Sequence, residues 1–284
     1  MGENKYISFK ERDDEYLCYL INLKVLKIHS ITSIKYVGFL RKLESLKLND
    51  VSDISFVDLP SLYYLSSLEL VYAENKSLEG ISQFCPNLEY LDFFDERDDV
   101  YIFQDANPMV RLSKLKSLTI ATYGNTRVSE IKDICRITSL TYLRLFFNNP
   151  LSYEFCNSLK SLTRLETLSL MLSEQNDGRI NNLDCLQYLP RSIHTLQFYN
   201  VGEIITEVLN YLSEQTNIRC LDLKDEIWIA RFYGEENDDF LMSLDRYIVT
   251  NKSLECITGY VDKVEMLRKR EELLERKVEP FTIC

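Results

Sequence analysis

Apolar residues recur along the chain in a six-residue phrase, apolar-x-x-apolar-x-apolar. The copies start 20 to 28 residues apart. Strand side chains alternate between two faces, so apolar residues at the fourth and sixth positions predict a short strand with one buried face. Such strands are expected after nine starting residues: Leu23, Leu43, Leu65, Leu88, Leu115, Leu140, Leu165, Ile193 and Ile218. An irregular tenth copy starts at Leu254, with Gly259 in place of its last apolar residue.

The segments between the phrases carry two different periodicities. After the first phrase, apolar residues follow at steps of three, at Ile31, Ile34, Val37 and Leu40. This spacing is typical of a 3₁₀ turn, in which residues i and i+3 lie above one another. Residues 201–212 instead show the i, i+3, i+4 spacing of an α-helix. We therefore expect tight 3₁₀ repeats early in the chain and longer helical repeats later.

Nine phrases at a near-constant period across residues 20–260 resemble the leucine-rich repeat family. The resemblance implies an α/β fold: a curved leucine-rich repeat solenoid with parallel strands on the concave face and 3₁₀ or α segments on the convex face. Many members have Asn at the ninth position of the repeat, but here only Asn148 matches. The chain therefore resembles a diverged member. One repeat cannot bury its apolar face alone, so the repeats are expected to stack.

Three regions are predicted along the chain. Residues 1–22 are expected to form an N-terminal cap that begins with a polar helical turn. Residues 23–260 hold the nine regular repeats and the irregular one. Residues 261–284 are expected to form a C-terminal capping helix and tail, because the apolar residues of 261–278 lie on one stripe among Lys, Arg and Glu.

Composition narrows the choice of partner and compartment. The 33 basic and 44 acidic residues give a formal net charge of −11, which argues against direct nucleic-acid binding. No apolar run reaches the length of a membrane span, and the N-terminus has no apolar signal segment. The eight cysteines are scattered without a CxxC pair, as in reduced intracellular proteins. We expect a cytoplasmic or nuclear protein with eight unpaired cysteines and no membrane contact.

The residues that could support catalysis are few. The two histidines, His29 and His194, belong to repeats one and eight, too far apart to share a metal ion. Cys220 and His194 lie on adjacent repeats at offset positions, the only nucleophile–base arrangement that the sequence offers. The glycines are isolated, which excludes a glycine-rich phosphate loop. We expect no catalytic residue, no metal site and no cofactor.

Positions three, five and seven of each phrase form the surface that we call the inner face, because they point away from the core. Aromatic residues there have no folding reason to face water, and exposed aromatic residues near charges are typical of interaction surfaces. The candidate partner-binding residues are Tyr90, Asp92, Phe94, Tyr142, Arg144, Phe146, Met171 and Tyr199. The alternative is that loops cover position seven, so that these rings are internal packing.

Two functions remain compatible with these patterns. The first is a non-catalytic protein–protein interaction module, an adaptor or a subunit of a larger complex, which holds a protein partner on its concave face. The second is a stand-alone regulator or inhibitor that covers another enzyme. In either case we expect the chain to be monomeric on its own.

Overall fold

The following description rests on a computed structural model of the chain. The residues that it describes are 7–8, 14–29, 34–50, 54–72, 78–95, 107–122, 128–147, 153–171, 183–199, 205–212, 217–224, 242–243, 246–248, 250–251, 253–259 and 282–283. The chain divides into two compact units, an N-terminal unit of residues 1–149 and a C-terminal unit of residues 150–284.

The N-terminal unit is built on parallel strands that follow one another in chain order. They are β1 (Ile7–Ser8), β2 (Val25–His29), β3 (Ser45–Asn49), β4 (Ser67–Val71), β5 (Tyr90–Asp95), β6 (Ser117–Thr122) and β7 (Tyr142–Phe147). The segments between them contain 3₁₀ turns and single-turn α-helices: η1 (Asp14–Tyr19), η2 (Lys35–Phe39), α1 (Ile81–Phe84), α2 (Asn107–Val110) and η3 (Val128–Arg136).

The C-terminal unit repeats the same plan. Its parallel strands are β8 (Thr167–Met171), β9 (Thr195–Tyr199), β10 (Cys220–Lys224), β11 (Cys256–Gly259) and β12 (Thr282–Ile283). The segments between them contain α3 (Tyr153–Ser158), η4 (Leu159–Ser161), η5 (Leu183–Tyr188) and α4 (Ile205–Leu212). Strands β2 to β11 correspond to the nine regular phrases and the irregular tenth.

The apolar positions of the phrases form the core. Each one whose side chain the structure describes is buried, with the exceptions of Leu23 in the first repeat and Leu254 in the irregular tenth, which are partly exposed. Alternation along the strands is regular: in β3 and β4 the second and fourth residues are buried and the others partly exposed. The sequence prediction of parallel strands with one buried face is confirmed, and the fold is an α/β leucine-rich repeat solenoid.

A recurring hydrogen-bond pattern fixes where the strands begin. The carbonyl at phrase position two accepts the N–H groups of positions two and three in the next repeat. Glu89 O, for example, accepts from Lys116 N at 2.9 Å and Ser117 N at 3.0 Å. The same arrangement recurs at Glu166 and Arg219 in the C-terminal unit. Within each unit, the repeats joined by these bonds have equal phrase positions side by side on neighbouring strands.

The intervening segments differ in part from the prediction. η2 and α4 match the expected early 3₁₀ turn and late helix, and Val208, Leu209 and Leu212 of α4 are buried. However, 3₁₀ turns persist late in the chain as η3 and η5. Apolar residues again recur at steps of three there, as at Ile134, Ile137 and Leu140, and this spacing favours the tighter turn.

Only part of each predicted cap lies within the described residues. In the first cap, Leu17 of η1 is buried, and β1 adds a two-residue strand that no apolar phrase predicts. The predicted C-terminal helix over 261–278 lies outside the described residues. Strand β12, further along the chain, is the second strand that no apolar phrase predicts. The domain boundaries at 22/23 and 260/261 therefore stay a prediction.

Candidate functional site

Three strands of the N-terminal unit carry most of the predicted binding residues. Strands β5, β6 and β7 pair in register, so their inner-face residues form a grid of three rows. The rows are Tyr90–Ser117–Tyr142 at position three, Asp92–Thr119–Arg144 at position five and Phe94–Ala121–Phe146 at position seven. We call these nine residues the β5–β7 surface. Six of the eight predicted site residues lie within it.

Side-chain size alternates across this surface. The inner-face residues of β5 and β7 are large, whereas those of β6 are Ser, Thr and Ala. Strands lie about 4.8 Å apart, so the two large strands are separated by roughly 9.6 Å. An aliphatic or planar group needs about 3.5–4.0 Å to an atom on each side, so a strand separation of this size is compatible with one inserted side chain.

The surface is open at the position-three row. Tyr90 is 47% exposed, while Tyr142 and Ser117 are partly exposed. We call this row the tyrosine slot, because two phenol rings flank a serine. Tyrosine combines an apolar ring with a hydroxyl group that can hydrogen-bond, which suits a surface that must be soluble alone and apolar in a complex.

The middle row is closed. Thr119 is only 4% exposed and hydrogen-bonds Asp92 on the neighbouring strand. Burial raises the pKa of Asp92 above its ordinary value, and the Thr119 hydrogen bond and the charge of Arg144 act in the opposite direction. Next to Asp92 in the same row, Glu69 pairs with Lys47, whose Nζ lies 2.5 Å from Glu69 Oε1. The row thus has two adjacent acidic groups, Glu69 and Asp92, between Lys47 on one side and Arg144 on the other, and the charge of Glu69 also raises the pKa of Asp92.

The structure corrects the sequence expectation for Phe146. This side chain was expected to face water, but it is only 8% exposed. The guanidinium carbon of Arg144 lies 4.4 Å from the centre of its ring, and such stacking removes the ring face from solvent. Phe94, at the same position of β5, is partly exposed. For Phe146, internal packing is the interpretation that the geometry favours.

The two remaining predicted residues lie in the C-terminal unit. Met171 and Tyr199 occupy position seven of β8 and β9 and pair in register. Tyr199 is partly exposed, and the Met171 side chain lies outside the described part of the structure. Around them the inner face carries Thr167, Thr195 and Gln197, so it lacks the two flanking large strands of the β5–β7 surface.

Sequence reasoning missed the small residues of β6. Ser117, Thr119 and Ala121 were not among the predicted binding residues, yet they create the slot because their neighbours are large. The signal was available: the same three phrase positions are large, small and large in three successive repeats. A comparison of equal phrase positions across neighbours, rather than a search for large residues alone, would have found it.

The candidate catalytic pair has other contacts. His194 Nδ1 lies 3.1 Å from Thr195 Oγ1, and its Nε2 lies 3.9 Å from Glu166 Oε2. Among the described residues, no group of three or more His, Cys, Asp and Glu side chains could hold a metal ion. Nor does any helix in the described ranges have the length and apolar character needed to cross a membrane.

The cysteines differ from the prediction of eight free thiols. Cys156, buried in α3, is disulfide-bonded. The cysteines of the described chain that form no disulfide are Cys18, Cys85, Cys135, Cys220 and Cys256. Disulfides persist mainly in oxidising compartments, so Cys156 weighs against the expectation of a fully reduced protein. The error arose because an isolated cysteine in sequence carries no information about its spatial neighbour.

Comparison with known proteins finds similarity of fold. No family model and no curated protein matches the chain. Among solved structures, internalin C2 of Listeria monocytogenes is 21% identical over 70% of this chain and 80% of its own, with a TM-score of 0.46. The internalin inlF of the same species is 17% identical over 88% and 72%, with a TM-score of 0.49.

A third similar structure is the Toll–Spatzle complex of Drosophila. It is 12% identical over 91% of this chain and 30% of the matched chain, with a TM-score of 0.48. The assignment itself rests on the molecule: phrase after phrase forms a parallel strand, buries its apolar residues and begins on the same carbonyl hydrogen bonds. The chain has the fold of a leucine-rich repeat protein.

Proposed function

We propose that the chain is a non-catalytic module that binds a protein partner through the inner face of its N-terminal unit. The tyrosine slot is the observation that carries this proposal: Tyr90 and Tyr142 flank Ser117 on a regular sheet and remain accessible to solvent. Exposed aromatic residues on a rigid scaffold cost little conformational entropy on binding and are enriched among residues that dominate binding energy.

The charged middle row supports a role in orientation. Asp92 and Arg144 lie between the tyrosine slot and the position-seven row that holds Phe94 and Phe146, and each is partly buried. Partner side chains of opposite sign would be attracted to them and would align the partner along the strands. Such pairs affect specificity and association rate more than affinity.

Capture from the native cell tests the proposal. The bait pair is the wild-type chain and the Tyr90→Ala/Tyr142→Ala double variant. The matched control, Thr167→Ala/Thr195→Ala, changes the same phrase position on two strands of the C-terminal unit. We expect one protein to be recovered by the wild type and the control, and lost with the slot variant.

The affinity of each variant for that purified partner then gives the size of the effect on binding. Truncation of an aromatic residue at the centre of an interface typically costs ~2 kcal/mol, so we expect the slot variant to bind at least roughly thirtyfold more weakly. Thermal melting of all three baits shows whether the fold is intact. Equal affinity of folded slot variant and wild type would contradict the proposal.

The role of the module has two forms. As an adaptor or complex subunit, the chain would co-purify with its partner at fixed stoichiometry. As a stand-alone regulator, it would inhibit an enzyme that it covers, and the purified chain would lower that enzyme's activity. We propose the adaptor role with a monomeric free chain, which sedimentation of the purified protein tests, and no direct contact with nucleic acid or membrane.

An intracellular location, cytoplasmic or nuclear, is part of the same proposal. The described cysteines that form no disulfide support it, and the disulfide at Cys156 is the observation against it. Thiol titration of protein taken from its native cell, denatured without reductant, decides the matter. Eight reactive thiols would support the intracellular location, whereas six or fewer, as the disulfide at Cys156 implies, would favour an oxidising compartment.

A further inference from the structure

Two cysteines of the C-terminal unit lie side by side on neighbouring strands. Cys220 begins β10 and Cys256 begins β11, and the two residues are direct partners in the parallel register. Both are thiols rather than half of a disulfide, and both are partly exposed. The residues that follow them, Leu221 and Ile257, are buried in the core. Because strand side chains alternate, both thiols therefore lie on the inner face.

The backbone fixes this juxtaposition. Arg219 O accepts hydrogen bonds from Glu255 N at 2.7 Å and Cys256 N at 3.0 Å, which anchors the start of β11 beside β10. Neighbouring strands lie about 4.8 Å apart, within the window of roughly 4.4–6.8 Å between Cα atoms that a disulfide bridges. In the described part of the chain, no other pair of cysteines occupies directly paired strand positions.

We propose that Cys220 and Cys256 form a dithiol site that reacts with small-molecule disulfides and closes to an internal disulfide. In the first step, the thiolate of one cysteine attacks a sulfur of the small molecule. A mixed disulfide forms and one small thiol leaves. In the second step, the neighbouring thiolate attacks the protein sulfur of that mixed disulfide and releases the second small thiol.

The exchange is balanced. Two protein thiols are oxidised, one small-molecule disulfide is reduced to two thiols, and the two protons of the cysteines pass to the leaving thiolates. The second step is intramolecular and its partner is already in place, so the mixed disulfide should not accumulate. The side chains of parallel strand partners point the same way, so their Cβ atoms are also about 4.8 Å apart. This exceeds the usual Cβ–Cβ distance in a disulfide of roughly 3.5–4.5 Å, so the bridge should be strained and a reductant should open it readily.

The other described thiols supply internal controls. Cys18 is partly exposed with no strand partner position, so it should keep a bound adduct. Cys85 and Cys135 are buried, and burial raises the pKa of each to about 12, so both should stay unreactive in the folded protein.

Oxidised glutathione and mass spectrometry of the folded full-length chain test the proposal. We expect the wild type to yield a cross-linked Cys220–Cys256 peptide without glutathione on either residue, and a mild dithiol reductant to reverse it. In Cys256→Ser the second step is blocked, so Cys220 should retain glutathione; in Cys220→Ser the adduct should remain on Cys256. Serine occupies this phrase position naturally at Ser45, Ser67 and Ser117, so both variants should fold.

Two results would overturn the inference. One is stable glutathione on Cys220 or Cys256 of the wild type at the level found in the single variants, which would show that the thiols do not reach each other. The other is an absence of both cross-link and adducts while Cys18 is modified, which would show that the pair is not accessible to the oxidant.

Discussion

The two units have cores of the same kind and differ in the residues that they carry on the inner face. Phrase position four is occupied by Leu118 in β6 and by Leu196 in β9, and both side chains are fully buried. Yet the β5–β7 surface of the first unit alternates large and small strands around a tyrosine slot, whereas the inner face of the second unit carries Thr167, Ser169 and Thr195. Because core and inner-face positions alternate along each strand, the fold constrains the one set and leaves the other to be varied.

Truncation of the core should affect both units equally. Leu118→Ala and Leu196→Ala each remove a fully buried side chain, and we expect each to lower the free energy of unfolding by about 2–5 kcal/mol. Urea denaturation measures the loss, with Thr195→Ala as a surface control. A loss below about 1 kcal/mol for only one of the two would show that the cores are not equivalent.

Truncation of the ring at phrase position seven should destabilise the N-terminal unit more than the C-terminal unit. Phe146 is almost enclosed, so Phe146→Ala is expected to cost about 2 kcal/mol, less than the roughly 3–5 kcal/mol of a fully buried Phe. Tyr199→Ala removes a more exposed ring and should cost about half as much. Thermal melting with a parallel urea series checks this order. If Phe146→Ala melts like the wild type, its ring is not part of the packing.

The smallest expected effect concerns pH. Burial raises the pKa of Asp92 above 3.8, so the folded protein holds this proton more tightly than the unfolded chain does. The ionised carboxylate therefore destabilises the fold. This penalty is complete above the raised pKa and vanishes as the pH falls below 3.8.

Asp92→Asn removes the ionisable group, so it should be more stable than the wild type near neutral pH. The difference should disappear at low pH. Thr119→Val should increase the wild-type penalty, because it removes the hydrogen bond that favours the charged form. Urea titrations at several pH values measure both. A variant Asp92→Asn that is less stable at neutral pH would show that attraction to Arg144 outweighs burial.

Periodic features of the fold could be predicted from the sequence. A phrase such as Leu115-x-x-Leu118-x-Ile120 specifies its own strand, because the apolar side chains must share one face wherever the strand lies. The short strands β1 and β12 could not be found in this way, since they form only by pairing with β2 and β11 and carry no phrase of their own.

Contacts between repeats were harder to predict. The burial of Phe146 depends on where the Arg144 guanidinium lies, and one side chain's conformation is not encoded in spacing. The tyrosine slot depends on the register of three strands, so it required an alignment of repeats rather than a motif. The disulfide of Cys156 depends on a spatial neighbour that local sequence does not reveal.

The shared carbonyl hydrogen bonds at phrase position two also make the repeats exchangeable. Differences in repeat length are taken up before the next strand begins, so they do not alter its alignment with its neighbour. A recombination event with both ends at this position would transfer one complete strand together with its three surface residues. New binding surfaces could thus arise by shuffling of intact repeats, without the need to evolve a new core.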